Sequence, residues 1–249
     1  MSRAGTPRSV TVDCFPQRAA AYAETHVIVA VDVIRATTTA VTATAGGRRC
    51  LPVPSLEAAV PLAGRLDNPL LVGELGGNPP YGFHLTNSPV QIAGRQDIER
   101  PMILLSTSGT PLLWESRRAR TVYVACLRNH TAQVEALAEC DLPVAVLGAG
   151  SRNEFRDEDA LCCAWIAEGL IARGFSVTDE RTEQLVTRYA GASVDLCADG
   201  HSAEYLRRTG QVADLEFVLT HVDDLAQSFV YAGGEVVGAA RQRPGLVEA

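Results

Sequence analysis

The sequence predicts an α/β fold, with a parallel or mixed central sheet flanked by helices and a smaller α+β portion towards the C-terminal end. Two observations lead to this prediction. Short runs rich in β-branched residues alternate with longer runs rich in Ala and Leu across residues 27–173, as strands and helices do in an open sheet covered by helices. Apolar residues make up 47% of the 249 residues, which is enough to build a substantial buried core.

Each predicted strand is a short apolar run, and each predicted helix is a longer run with apolar residues at three- and four-residue steps. The strands are predicted at 27–33, 49–53, 70–72, 102–105, 121–125 and 143–147. The helices are predicted at 37–45, 55–66, 111–117, 131–138 and 157–173. The last helix has the clearest pattern, because Leu161, Ala164, Trp165 and Ile171 share one face.

The C-terminal third of the chain has a different pattern. Helices are predicted at 183–189 and 202–209, strands at 215–219 and 236–237, and a turn at the two glycines 233 and 234. This portion is either an appended α+β lobe or the far edge of the same sheet. We therefore predict a main α/β domain at 1–178 and a C-terminal portion at 179–249, with a single domain as the alternative.

Composition excludes several classes of protein. The formal net charge is −7 without a long basic block, which argues against nucleic-acid binding. No apolar run approaches the roughly 20 residues that span a bilayer, and the N-terminal residues lack the apolar segment of a signal peptide. The seven cysteines form no C-x-x-C pair. We expect reduced thiols, no zinc site and a cytoplasmic protein.

Polar and small residues follow five of the predicted strands. Because ligands of open α/β sheets bind at the carboxyl ends of the strands, we expect these residues to meet in one site. They are Asp32, Arg35, Thr37 and Thr38 after the first strand; Glu74, Asn87 and Ser88 after the third; Thr107, Ser108, Gly109 and Thr110 after the fourth; Arg128 and Asn129 after the fifth; and Glu158 and Asp159 after the sixth. Taken singly, each also has a local explanation as a cap, a turn or a surface residue.

These residue types favour metal-assisted chemistry on a small phosphorylated anion. Carboxylate oxygens of Asp32, Glu74, Glu158 and Asp159 suit Mg²⁺. Backbone amides of residues 107–110, at the start of a helix, suit phosphate or sulfonate oxygens. Arg35 and Arg128 suit a second oxyanion.

Three other phosphate-binding arrangements are absent from the sequence. A phosphatase with an Asp-x-Asp nucleophile pair needs an acid at position 34, which is Ile34. There is no Walker A motif. The run from Gly148 to Asn153 begins like a dinucleotide-binding fingerprint, but Asn153 stands where the third glycine belongs.

Several blocks of the chain resemble the 2-phosphosulfolactate phosphatase family. The similar segments are Asp32–Thr39, Gly73–Glu74, Gly82–Phe83, Asn87–Pro89, Ser106–Thr110, Gly148–Gly150, Glu158–Cys162, Asp199–Ser202 and Asp214–Phe217. Their order and spacing agree over roughly residues 9–240. Two positions depart from the family's pattern, since Ser108 replaces an Asn and His84 replaces an Asp.

The resemblance implies a Mg²⁺-dependent phosphoric monoester hydrolase that converts 2-phospho-3-sulfolactate to 3-sulfolactate and phosphate, a step of coenzyme M biosynthesis. Asp32, Arg35 and Glu158 are then the expected catalytic residues, and Asn87 and Asn129 are expected to orient the substrate. A homodimer is the base-rate expectation for oligomeric state. The alternatives are a phosphatase of the same scaffold acting on another phosphorylated hydroxy acid or sugar phosphate, and a non-catalytic protein that binds small anions.

Overall fold

A computed structural model describes residues 8–239, which form a ten-stranded mixed sheet flanked by helices. The predicted α/β fold class is confirmed. The strands are β1 (Ser9–Cys14), β2 (Val27–Val31), β3 (Cys50–Val53), β4 (Leu70–Gly73), β5 (Met102–Leu105), β6 (Val122–Ala125), β7 (Val144–Gly148), β8 (Ser176–Val177), β9 (Phe229–Ala232) and β10 (Glu235–Gly238).

Two groups of parallel strands make up the sheet, and a hairpin joins them. The strand order is β4-β5-β3-β10-β9-β6-β2-β7-β1-β8. Strands β4, β5 and β3 are parallel to one another, as are β6, β2, β7, β1 and β8. The hairpin β9–β10 lies antiparallel between β3 and β6. The sheet is therefore mixed, and a segment from the far C-terminal end of the chain lies at its centre.

The helices cover both faces of the sheet. They are α1 (Ala36–Ala45), α2 (Leu56–Ala63), α3 (Pro89–Ala93), α4 (Gly109–Ser116), α5 (His130–Leu137), α6 (Asp157–Ile171), α7 (Glu180–Tyr189), α8 (His201–Arg208) and α9 (Val212–Thr220). Helix α1 packs against β3, β5, β6 and β10, so it contacts strands of both parallel groups. Helix α6 packs against β1, β2 and β7.

Strand β2 shows why its sequence is apolar without alternation. Val27, Val29 and Val31 pack in the cluster that contains α6, whereas Ile28 and Ala30 pack on the opposite face with residues of α1 and α4. Every residue of the strand is buried. A strand covered on both faces needs apolar side chains at every position, so this strand was predictable from its composition.

One predicted element is wrong, and four of the strands and helices named above were not predicted. The run 215–219 belongs to helix α9 rather than to a strand, because Leu215, Val218 and Leu219 follow helical spacing and pack towards the other helices. Strands β1, β8 and β9 and the short helix α3 lacked a pattern strong enough to predict them.

The C-terminal portion contributes two strands to the common sheet. β9 and β10 pair with β6 and β3, while α7, α8 and α9 lie outside it. The division at 178/179 stays a prediction, and its single-domain alternative agrees with the shared sheet. Among the helices of residues 8–239, none has the length and apolar character required to cross a membrane.

Candidate active site

A cavity of about 430 Å³ lies at the carboxyl ends of β2, β4, β5 and β7 and is closed on one side by α8. Both groups of parallel strands contribute to the cavity. The hairpin between them is antiparallel to its neighbours, so the two groups run in opposite directions. The predicted site residues that line it are Asp32, Arg35, Glu74, Asn87, Thr107, Ser108 and Asp159.

The turn between β2 and α1 fixes Asp32 through its backbone. The Thr37 hydroxyl accepts a hydrogen bond from the Asp32 amide at 2.8 Å and donates one to the Asp32 carbonyl at 2.8 Å. The Thr38 hydroxyl donates to the Val33 carbonyl at 2.7 Å. Both threonines are buried and do not line the cavity. They shape the turn, and Asp32 and Arg35 extend from it.

The Asp32 carboxylate is buried but borders the cavity. Its Oδ1 accepts a hydrogen bond from the Ala36 amide at 3.1 Å. Its Oδ2 lies against Gly109, where any Cβ would overlap the carboxylate. Burial raises the pKa of Asp32 to about 7, helped by the charges of Glu74 and Glu158 and opposed by the Ala36 amide and by Arg35.

Two further buried carboxyls come from the first turn of α6. Asp159 accepts hydrogen bonds from the Val33 amide at 2.7 Å and the Gly150 amide at 3.2 Å. Burial, and then the charges of Asp32 and Glu158, raise the pKa of Asp159 well above its ordinary value. Burial also raises the pKa of Glu158, whose Oε2 is buried and forms no hydrogen bond within the described residues. The three carboxyls therefore favour binding a proton or a cation.

Glu74 forms hydrogen bonds that its sequence position does not indicate. Its Oε1 accepts a hydrogen bond from the Thr107 amide at 2.7 Å, and its Oε2 accepts from the Thr107 hydroxyl at 2.8 Å and the Gly77 amide at 2.7 Å. The side chain thus ties the turn after β5 to the loop after β4. It borders the cavity while these donors occupy both carboxylate oxygens.

The turn before α4 offers fewer free amides than the sequence suggests. The Thr107 amide donates to Glu74, and the Thr110 amide donates to the Ser106 hydroxyl at 2.9 Å. The amides of Ser108 and Gly109 form no hydrogen bond within residues 8–239. Of the four predicted phosphate-binding amides, these two thus have no partner in that range, and Ser108 lines the cavity at the positive end of the helix.

Arg35 and Asn87 supply the other predicted groups of the cavity. The Arg35 guanidinium is 4% exposed, and its Nη1 donates to Asp214 Oδ2 at 2.6 Å and to Gln211 Oε1 at 2.7 Å. Arg35 is the N-cap residue of α1 and follows a cis peptide bond. Asn87 is 3% exposed, and its Oδ1 is a buried acceptor without a partner in the described part of the chain.

The structure does not bring Arg128 and Asn129 to the cavity. Arg128 Nε and Nη2 donate to Asp224 at 3.0 and 2.6 Å, and its Nη1 donates to Thr42 at 2.8 Å. Asn129 Oδ1 accepts from the Cys126 amide at 3.0 Å, so its side chain closes the turn after β6. His84 is also outside, because its Nδ1 accepts from the Leu71 amide at 2.9 Å in an exposed loop.

Three more predicted residues lie beside the cavity without lining it. Ser88 is fully buried and caps α3, since its hydroxyl accepts a hydrogen bond from the Gln91 amide at 3.2 Å. Thr110 closes the turn before α4 through Ser106. Gly109 packs against Asp32.

Sequence reasoning missed the charged rim of the cavity, which includes the acids Glu154 and Glu204 as well as basic residues. Arg152 and Arg156 come from the loop between β7 and α6, and His201 and Arg208 come from α8. Arg156 Nη1 donates to Glu154 at 2.6 Å and lies 2.9 Å from His201 Nδ1. The arginines that follow the Gly148–Gly150 turn were a signal in the sequence, whereas nothing local indicates that α8 folds over the strand ends.

Comparisons with known proteins identify a matching family. Residues 14–226 match the family model described as 2-phosphosulpholactate phosphatase, and this range contains every residue that lines the cavity. The chain belongs to the 2-phosphosulfolactate phosphatase family.

Three relatives in this family illustrate the range of similarity, and each is named as a probable 2-phosphosulfolactate phosphatase. The protein of Symbiobacterium thermophilum is 33% identical over 231 residues, covering 85% of this chain and 94% of the relative. That of Deinococcus radiodurans is 34% identical over 197 residues, covering 77% and 82%. That of Carboxydothermus hydrogenoformans is 29% identical over 231 residues, covering 88% and 93%.

Proposed function

We propose that this protein hydrolyses the phosphomonoester of 2-phospho-3-sulfolactate to 3-sulfolactate and phosphate, with Mg²⁺ as its cofactor. Family membership supports the phosphatase reaction. The observation that carries the proposal is the Asp32 carboxylate at the edge of the cavity, beside the two free amides of Ser108 and Gly109 and the Arg35 guanidinium. An acid, an oxyanion cradle and a fixed cation are the groups that phosphoryl transfer requires.

The donor set suits Mg²⁺ held by few protein ligands. Within residues 8–239, no three acidic, His or Cys side chains converge as a metal cage would require. Mg²⁺ normally keeps several waters and binds proteins through one or two carboxylates plus substrate phosphate. Asp32 and Asp159 line the cavity, and Glu158 has an unpartnered buried oxygen. We assign Asp32 as the primary candidate ligand, with Asp159, Glu158 and Glu74 as further candidates.

In this scheme, a bound Mg²⁺ supplies charge stabilisation at the transferring phosphoryl group. The Ser108 and Gly109 amides hold phosphoryl oxygens at the start of α4. Arg35 holds the carboxylate or sulfonate, and the rim arginines Arg152 and Arg208 add positive potential. Since burial and the charge of Asp32 raise the pKa of Asp159, one carboxyl of the cluster can carry the proton that the leaving alkoxide needs.

Release of inorganic phosphate from racemic 2-phosphosulfolactate tests the proposal. Purified protein is assayed with Mg²⁺, with EDTA, and with EDTA followed by excess Mg²⁺. We expect turnover with Mg²⁺, its loss in EDTA and its recovery on readdition. Turnover that persists in EDTA would overturn the metal requirement, and an absence of turnover under all conditions would overturn the substrate.

A related substrate is the second candidate, and Ser108 is the observation that favours it. Ser108 lines the cavity where the family pattern has Asn, so a longer amide is replaced by a small hydroxyl. This change alters the wall next to the phosphate cradle. A panel of phosphorylated hydroxy acids and sugar phosphates in the same assay separates the two candidates through their kcat/KM values.

A further inference from the structure

Asp214 connects two parts of the candidate site, although it does not line the cavity. It lies in α9 and is 3% exposed. Its Oδ2 accepts a hydrogen bond from Arg35 Nη1 at 2.6 Å. Its Oδ1 accepts from the Ser88 hydroxyl at 2.6 Å and from the Val90 amide at 3.3 Å. One buried carboxylate therefore holds the turn after β2 and the start of α3 together.

The first connection fixes the Arg35 guanidinium. Asp214 and Gln211 both accept from Nη1, at 2.6 and 2.7 Å. Nε and Nη2 of Arg35 make no hydrogen bond to any residue in the range 8–239, and the side chain borders the cavity. Because a guanidinium is planar and rigid, fixing one nitrogen sets the direction of the others.

The second connection fixes the neighbour of Ser88. Ser88 is fully buried and donates to Asp214, while Asn87 next to it lines the cavity. The Asn87 Oδ1 is buried and has no partner in the described range. The position of this acceptor depends on the backbone at Ser88, and so on the same carboxylate.

We propose that Asp214 is a positioning residue that aligns Arg35, and the cavity wall at Asn87, for a substrate with a second oxyanion besides its phosphate. The inference rests on the proposed function, because Arg35 is assigned there as a group that contacts the substrate. Asp214 acts on substrate affinity through the direction of the Arg35 guanidinium and through the backbone position of Asn87. A merely structural ion pair would affect folding stability without a selective effect on KM.

A double-mutant cycle between Asp214 and Arg35 tests this role. The single changes are Asp214→Asn, Asp214→Glu and Arg35→Ala, and each Asp214 change is also combined with Arg35→Ala. Asp214→Glu keeps a carboxylate beside Arg35 but moves that carboxylate by one methylene. The Arg35 cation is therefore not left buried without a counter-charge. Asp224→Asn is the matched control, since Asp224 pairs with Arg128 outside the cavity.

We expect Asp214→Asn and Asp214→Glu to raise KM for 2-phosphosulfolactate by about tenfold or more, because a displaced positioning group loses binding orientation. We expect less than about a threefold further effect when Arg35 is already Ala, because interacting residues are not additive. Calorimetric Kd values for 3-sulfolactate should follow the same pattern. Asp224→Asn should keep KM within about twofold of the wild type, because neither Asp224 nor its partner Arg128 lines the cavity.

Equal effects of the Asp214 changes with and without Arg35 would overturn the inference, as would an unchanged KM in a folded Asp214 variant. If neither Asp214 variant folds, Ser88→Ala keeps the ion pair and removes the link to Asn87. It should raise KM, and an unchanged KM would then overturn the inference. A wild type without turnover would instead refute the proposed function, so the two failures are distinguishable.

Discussion

At the scale of single residues, Gly109 packs directly against the Asp32 carboxylate. The first residue of α4 approaches the Asp32 carboxylate so closely that only a glycine fits there. The same approach places the Ser108 and Gly109 amides beside the acid. Glycine at this position is therefore required by the distance to a side chain rather than by an unusual backbone dihedral angle.

Gly109→Ala tests this close approach. We expect kcat/KM to fall by about 10²-fold, because a new methyl group displaces the Asp32 carboxylate from its position. Gly46→Ala is the control, since its Cβ would lie 3.4 Å from the Thr42 carbonyl in ordinary contact. Steady-state kinetics with 2-phosphosulfolactate measure the difference. Equal kinetics of the Gly109 variant and the wild type would contradict the assigned position of Asp32.

The two arginines that sequence analysis treated alike should differ in function. Arg35→Ala is expected to raise KM at least tenfold, because it removes a charge-assisted contact to the substrate. Arg128→Ala removes an ion pair with Asp224 outside the cavity and should leave KM nearly unchanged, with a stability loss of about 1.5–3 kcal/mol from the charged hydrogen bonds that it removes. Kinetics and chemical denaturation of both variants decide this. A larger increase in KM for the Arg128 variant than for the Arg35 variant would indicate that Arg128 belongs to the site.

At the scale of elements, helix α8 closes the cavity by holding the loop after β4. The Tyr205 hydroxyl donates to the Gly77 carbonyl, and the Gly77 backbone has a positive φ of 92°. Any Cβ at Gly77 would overlap the Tyr205 ring. The loop also carries the Gly76 amide that donates to the Thr107 hydroxyl at 2.8 Å, so α8 and the turn after β5 stabilise the same loop.

Tyr205→Phe tests whether α8 supports the site. The change removes one hydrogen bond, so we expect a stability loss of about 1 kcal/mol and a KM several times higher. Tyr81→Phe is the control, because Tyr81 is fully exposed and loses no partner within residues 8–239. Thermal unfolding and kinetics of both proteins provide the comparison. Equal Tm and KM values of the two variants would contradict a supporting role of α8.

The sequence predicted the elements whose pattern is local. Strand β2 was predictable because it is apolar throughout, and α6 because its apolar residues follow helical spacing. The run 215–219 was misassigned because a short apolar segment fits a strand or a helix equally well. Tertiary contacts with α8 and α3 decide that α9 is a helix.

The candidate site was predictable where it lies directly after strands. Asp32, Ser108 and Asp159 follow β2, β5 and β7 in the chain, and the carboxyl ends of strands bind ligands in this fold class. Arg128 follows β6 in the same manner, yet its partner Asp224 is 96 residues away, and no local pattern reveals that pair. His201 and Arg208 were missed because α8 reaches the cavity only through long-range packing.

At the scale of the whole molecule, the cluster of buried acids links stability to pH and to cations. Asp32 has a pKa raised from 3.8 to about 7, so the folded protein binds more protons than the unfolded chain between these pH values. Stability therefore falls as pH rises through this window. The raised pKa values of Glu158 and Asp159 act in the same direction.

Asp32→Asn isolates this contribution from other titrating groups. In EDTA, we expect the Tm of the variant to exceed that of the wild type at pH 8, where Asp32 is charged, and to approach it near pH 4. Mg²⁺ should raise the Tm of the wild type at pH 8 more than that of the variant, because binding to the folded state stabilises it. Thermal scans at several pH values measure both effects, and a variant that is less stable at pH 8 would contradict the assigned cause.

The central claim is that the cavity around Asp32 is a phosphatase site for 2-phosphosulfolactate. Phosphate release by the wild type and by Asp32→Asn, assayed side by side with Mg²⁺, tests it most directly. We predict turnover by the wild type and a loss of about 10³-fold in kcat/KM in the folded variant, within the range expected for an acid–base or metal-binding carboxylate. Equal turnover by the two proteins, or none by the wild type, would contradict the claim.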